Sequence, residues 1–204
     1  MAFEDARRIT DPRELRAMSH PVRLALMEAL RDEGQLTATQ AAELVGESPA
    51  NCSFHLRTLA KYGFVHEAEG GKGRERPWQL VSTAHNIPDA GELAGEAGAA
   101  AGALVEVLAE RGAERMRTWL RTAVQYPEEW RQASFFDTVR LQITAAELSR
   151  LGEAVQGLLA EFIGRTAENR PPGAMPVSVS AIGFPTRIPI AEGGNDVSHA
   201  SRNH

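Results

Sequence analysis

The stretch GGKGRER sets three cations, Lys72, Arg74 and Arg76, among three glycines. Cations on a backbone free to conform are suited to neutralising phosphates. Other groups able to do chemistry are sparse. The single cysteine, Cys52, excludes an intrachain disulfide, and the six histidines are scattered without CxxC or HxxxH spacing. The chain has no GxSxG, no phosphate-binding glycine loop, no HExxH, and no carboxylate pair set apart from ordinary helix surface. A binding protein is expected rather than an enzyme, with no metal and no cofactor.

Overall charge argues the other way. With 22 Lys+Arg against 27 Asp+Glu, the formal net charge of −5 does not favour a polyanionic partner. Placement matters more than the total. Residues 1–82 hold 11 basic and 12 acidic side chains, so the excess of acid lies mostly C-terminal. A near-neutral first half can still cluster its cations on one surface.

The elements that must position these groups can be read from caps and periodicity. Asp11 and Pro12 open a short helix over residues 11–20, and Pro21 opens a second over 21–34, with Val22, Leu26 and Leu30 four apart and Gly34 as its stop. Thr37 caps a third within 35–48, striped by Ala41, Leu44 and Val45 and stopped by Gly46. In SPANCSFHLRTLAKYGFV, residues 48–65, Ser48 caps a fourth helix that ends at Gly63. Its apolar stripe is Cys52, Leu56 and Leu59, with His55 at the margin and Pro49, Ala50, Ser53, Phe54 and Arg57 on the other side. FVHEAE and PWQLV then alternate around the basic glycine-rich stretch, the pattern of a β-hairpin with a long tip.

Four short helices and a basic hairpin outline a winged helix-turn-helix, in which the helix before the wing enters the major groove of DNA. The pieces LRAMSHPVRLALMEAL, TATQAAELVGESPANCSFHLRTLAKYGFV and HEAEGGKGRERPWQLV also resemble the bacterial ArsR-type repressors, especially metal-independent actinobacterial relatives with an added C-terminal domain. SFHLRTL, the YGFV after it and HPVRLALM carry most of that resemblance, which spans about residues 11–82. It implies a homodimer that binds a palindromic operator in double-stranded DNA and usually represses.

On this outline Pro49, Ala50, Ser53 and Phe54 face base edges, Asn51 reads adenine or phosphate, and Arg57 reaches phosphate one turn later. Phe54 departs from the family, whose members commonly carry a polar or basic residue there. Its ring would touch a thymine methyl or pack on the third helix or the partner. Thr37, Thr39 and Gln40 are candidate phosphate contacts at a helix N-terminus, with capping the competing role for Thr37. Lys72, Arg74 and Arg76 would neutralise phosphates or enter the minor groove. Metal-sensing relatives place cysteines in the third helix or paired ligands after the wing, and this chain has neither; Cys52 is expected to be a buried packing residue.

Beyond the wing, Ile87 to about Val124 repeats apolar residues at helical spacing despite five glycines, which reads either as a helix whose small residues let another backbone approach, as at a dimer interface, or as low-complexity drift with a break near Gly112. The FFDTVRLQI segment at 135–143 alternates like a strand, residues 144–166 make a helix with Thr144 and Glu147 as a capping box, and AMPVSVSAIGF reads as another strand. Two strands are marginal alone, so completion against the long helix, the first half or a second subunit is expected. Trp119, Tyr126, Trp130, Phe135 and Phe136 could line a pocket for an apolar or aromatic effector, with Arg121, Arg131 or Arg140 as polar groups, or could be core.

The expected fold class is therefore α+β, mainly α. It comprises an N-terminal arm (1–10), a winged helix-turn-helix domain (11–82), a linking or dimerisation helix (87–125), a strand-helix-strand domain (126–184) for dimerisation or effector sensing, and a loose tail (185–204). MAFEDARRITDPREL has no apolar run behind its charges, and no stretch approaches the roughly 20 apolar residues of a membrane span, so a cytoplasmic location is expected. The alternative function is a winged helix used for protein interaction, with the acidic C-terminal half as docking surface.

Overall fold

A computed structural model describes residues 7–70, 76–82, 85–88, 91–165 and 169–187. Four helices follow one another at the N-terminus: α1 (Pro12–Met18), α2 (Pro21–Glu33), α3 (Ala38–Val45) and α4 (Pro49–Lys61). Each starts where a side chain can satisfy an orphan amide. Asp11 accepts from the Arg13 amide, His20 Nδ1 from that of Val22, Thr37 from that of Gln40 and Ser48 from that of Asn51, and three of the four helices have proline in the first turn. Gly46 ends α3 in the left-handed region at φ 76°, and its amide donates to the Ala42 carbonyl.

The wing is an antiparallel pair, β2 (Val65–Glu67) and β3 (Trp78–Leu80), with Val65 opposite Leu80 and Glu67 opposite Trp78. Leu36, ahead of α3, bridges to Trp78 from the other side, so the wing is tied to the helix-turn-helix by backbone hydrogen bonds as well as sequence. Leu15, Leu26, Leu56, Leu59 and Phe64 are fully buried together beneath the helices. The inward stripe expected for α4 is the one observed: Cys52, Leu56 and Leu59 are each without exposed surface.

Residues set aside as an N-terminal arm reach into this core. Arg7–Arg8 forms β1, parallel to β4 (His85–Asn86), and the next residue, Ile9, is completely buried and donates its amide to the Asn86 carbonyl. Strands of two residues leave no periodic trace in sequence.

The long helix α5 runs Gly95–Thr122 and passes through Gly112 unbroken, which decides between the two readings of this stretch in favour of a continuous helix. Its first half packs on α1 through Ala100, Ala101 and Leu104, where small side chains let the two backbones come close. Arg16 pairs with Glu96 on this contact, and further along both Arg111 and Arg115 pair with Glu28 of α2.

A 3-10 turn (Ala123–Gln125), α6 (Glu128–Ala133) and α7 (Ala145–Ala160) complete the regular structure. Thr144 and Glu147 form the expected reciprocal capping box of α7. The two expected strands correct differently. Among the described residues, neither 135–143 nor 174–184 joins a ladder, because alternation fixes which side chains share a face but provides no neighbour for the backbone amides and carbonyls. The molecule is thus mainly helical with a few short strands, which among the described residues all lie in the N-terminal half.

Candidate nucleic-acid interface

Helix α4 presents the surface that the sequence assigned to it. Pro49, Ala50, Phe54 and Arg57 are exposed, Ser53 and Asn51 half-buried, and all lie opposite the buried Cys52, Leu56 and Leu59. The Arg57 guanidinium donates to Ser53 Oγ at 2.7 Å, an i, i+4 pair that holds the cation along the helix face. Asn51 is less available than its position implies, since its side-chain amide donates to Glu47 Oε2 at 2.7 Å. Phe54 is 60% exposed and meets the His55 ring edge-on at 5.2 Å.

Behind this face sits a pair the sequence did not reveal. His55, 6% exposed, lies with its ring centroid 4.5 Å from that of His20 at the start of α2, and its Nδ1 is buried without a hydrogen-bond partner. Burial lowers both imidazole pKa values, with Arg23 adding to the effect on each and the two rings disfavouring charge on His55. The α2–α4 contact is therefore built on neutral histidines at neutral pH. Cys52 is buried beside them, and burial, with Glu47, pushes its thiol up, which keeps it protonated.

At the start of α3, Thr37 and Gln40 form a capping box: the Gln40 amide donates to Thr37 Oγ1 at 3.2 Å and the Thr37 amide to Gln40 Oε1 at 2.9 Å. Capping takes up the Thr37 hydroxyl, while Gln40 stays exposed and Thr39 half-buried. On the wing Arg76 is exposed, 3.9 Å from Glu67 across the hairpin. Lys72 and Arg74 lie outside the described residues. Arg57, Arg76, the α3 start and the α4 outer face belong to one contiguous unit of helix-turn-helix and wing, whose inward side is the core.

The aromatic set divides. Trp119 and Tyr126 meet at 4.9 Å between centroids with their planes tilted by 56°, whereas Phe135 and Phe136 are 76% and 75% exposed and Trp130 is half-buried. Of the five residues, Trp119 and Tyr126 are the two whose rings meet. A groove on α5 is lined by Ala109, Glu110, Ala113, Glu114 and Arg117, residues that carry one turn-to-turn surface of a single helix. Among the described residues, no group of three or more His, Cys, Asp or Glu is placed to hold a metal ion, and no helix is long and apolar enough to cross a membrane.

Fold and surface together define a winged helix-turn-helix protein. Residues 18–68, which run from the end of α1 through β2, match the family model described as a helix-turn-helix domain. Two solved structures of Lactococcus lactis ZitR are similar to this chain. One is a mutant in apo form, 16% identical over 72% of this chain and 81% of that one, with a TM-score of 0.27. The other is the wild type in complex with DNA, 14% identical over 72% and 74%, with a TM-score of 0.26. No curated protein matches the sequence.

Proposed function

We propose that this chain is a sequence-specific DNA-binding transcriptional regulator of the ArsR type, a homodimeric repressor acting at a palindromic operator. The observation that carries the reading is the two-sidedness of α4, anchored by Cys52, Leu56 and Leu59 and open at Pro49, Ala50, Ser53, Phe54 and Arg57 in the helix-turn-helix domain matched over residues 18–68. In the major groove, Ser53 would hydrogen-bond a base edge, Phe54 would cover a thymine methyl, and Arg57 would swing from Ser53 to a phosphate. Asn51 would exchange Glu47 for an adenine edge. Thr39 and the free amide group of Gln40 would meet the backbone at the start of α3, and Lys72, Arg74 and Arg76 would follow the flanking phosphates. An apolar or aromatic effector would bind beside the Trp119–Tyr126 pair and act by altering the spacing of the two α4 helices, which must match half-sites about 34 Å apart.

Electrophoretic shift with duplex DNA from upstream of the chain's own coding region tests the reading. Arg57→Ala and the triple variant Lys72→Ala, Arg74→Ala, Arg76→Ala should each weaken the shift; undiminished binding by both would overturn it. The exposed Phe54 favours one alternative, a winged helix used to dock a protein through an apolar contact. That mode would be nearly insensitive to salt, whereas phosphate binding is not.

A further inference from the structure

Among the described residues, His55 Nδ1 is the one buried side-chain nitrogen or oxygen without a hydrogen-bond partner, and its ring meets that of the exposed Phe54 on the outer face of α4. Buried polar atoms are nearly always paired, so an unpaired one asks for a use. The hydrogen bonds around it separate the two imidazoles of the α2–α4 contact. His20 Nδ1 accepts the Val22 amide at 3.2 Å, so its own proton sits on Nε2 and a second would displace the cap of α2. His55 Nδ1 accepts nothing and takes a proton without losing a bond. With the ring centroids 4.5 Å apart, a charge on one ring opposes a charge on the other. The pair therefore takes up one proton, on His55.

Three other groups face the pair. Arg23 of α2 opposes its protonation, although the guanidinium is turned to the Ala17 and Arg16 carbonyls of α1. Cys52, on the buried side of α4, stays a neutral thiol. Glu47, in the turn between α3 and α4, favours charge on both rings. The same carboxylate reaches the outer face, where its Oε2 accepts Asn51 Nδ2 at 2.7 Å. A carboxylate only accepts, so this bond sets the Asn51 amide nitrogen towards Glu47 and Oδ1 away from it. An incoming duplex disturbs the arrangement twice: Asn51 leaves Glu47 for a base edge, and the phosphates bring more negative charge to the α4 surface. Both changes favour a cation beneath that surface. We infer that DNA binding is coupled to the uptake of one proton from solvent at His55 Nδ1, with Glu47 as the positioning residue that holds Asn51 in the free protein and faces the imidazolium in the complex. Linkage is reciprocal, so acid tightens binding by the factor with which the duplex raises the proton affinity of His55, at most about tenfold per pH unit for one proton.

This coupling rests on the DNA-binding reading of α4, and its test keeps the two apart. Labelled duplex from upstream of the chain's own coding region is titrated by anisotropy at constant ionic strength, at about pH 8 and at about pH 6, the range in which an imidazole changes charge. The wild type should bind roughly threefold to tenfold more tightly at the lower pH. His55→Gln should cut that change to less than about twofold, and Glu47→Gln should bind more tightly than the wild type at the higher pH and respond less to acid. His66→Gln, which removes an exposed imidazole on the wing, should keep the wild-type profile. The wild type supplies a second readout that holds even where a variant fails to fold: the His55 ring resonances in NMR spectra should titrate at a higher pH with the duplex than without it. Binding that does not change with pH, a profile that survives His55→Gln and vanishes in His66→Gln, or a His55 titration indifferent to the duplex would each overturn the coupling and leave DNA binding standing. No binding at either pH would overturn the DNA-binding reading and the coupling with it.

Discussion

The Arg111 guanidinium of α5 grips both carboxylate oxygens of Glu28 on α2, and Arg115, one turn further along α5, pairs with the same carboxylate. Glu28 thereby fixes the long helix against the helix that abuts α4. Burial pushes its carboxyl up, but Arg111 and Arg115 outweigh that and hold it below the ordinary value.

Glu28→Ala should therefore cost about 1–2 kcal/mol, since it removes the carboxylate that both Arg111 and Arg115 pair with. The depressed carboxyl makes the stabilisation complete above the unfolded value near pH 4.5 and lost as pH falls below it. Urea unfolding at pH 7 and at pH 4 checks both: the gap between wild type and variant should shrink at the lower pH.

Ser48→Ala removes the oxygen that accepts the Asn51 amide at 3.2 Å and should destabilise the domain by about 1 kcal/mol. The first turn of α4 carries Pro49, Ala50 and Asn51, so DNA affinity should fall along with the melting temperature. A loss of stability without any loss of affinity would separate the cap from the binding face.

Leu56 is fully buried at the centre of the α4 stripe, and Leu56→Ala should cost about 2–5 kcal/mol. The Cys52 thiol, buried and pushed up by burial, should react with a disulfide reagent only as fast as the domain opens. Reaction rates measured against urea should track the unfolded fraction.

His85, on β4, has its pKa lowered to about 4, by burial first and then by Arg31 and Arg7. Burial lowers His20 and His55 as well. An unfolded imidazole takes up a proton near pH 6.5 that the folded one resists, so stability is complete above pH 6.5 and declines as pH falls towards 4. For His85 the loss by pH 5 should be about 1–2 kcal/mol, and His85→Asn should flatten the stability profile between those limits.

Caps made the N-terminal half legible. Asp11, Thr37, Ser48 and Gly46 each mark a boundary where the helix begins or ends, because an orphan amide or a left-handed turn leaves few alternatives. The α4 face was legible for the same kind of reason, since a period of 3.6 separates Leu56 from Arg57 wherever the helix sits. Other features had no such signal. The His20–His55 contact joins residues 35 positions apart with no pattern between them, and the β1–β4 pairing is two residues long. Val139, Leu141 and Ile143 alternate as a strand does, but alternation is a property of one segment and a ladder needs two. Periodicity could not decide whether the stretch breaks at Gly112; it does not, because a single glycine costs about 1 kcal/mol, which the rest of a 28-residue helix offsets.

The central claim is that the α4 face and the wing bind the phosphates and bases of duplex DNA. Its most direct measurement is fluorescence anisotropy with a labelled operator duplex, repeated across salt concentrations for the wild type and Arg57→Ala. The account predicts that log K falls linearly with log salt, and that Arg57→Ala lowers the slope by about one for each phosphate contact removed. Binding that ignores salt, or a slope and affinity unchanged by Arg57→Ala and by the triple wing variant, would contradict it.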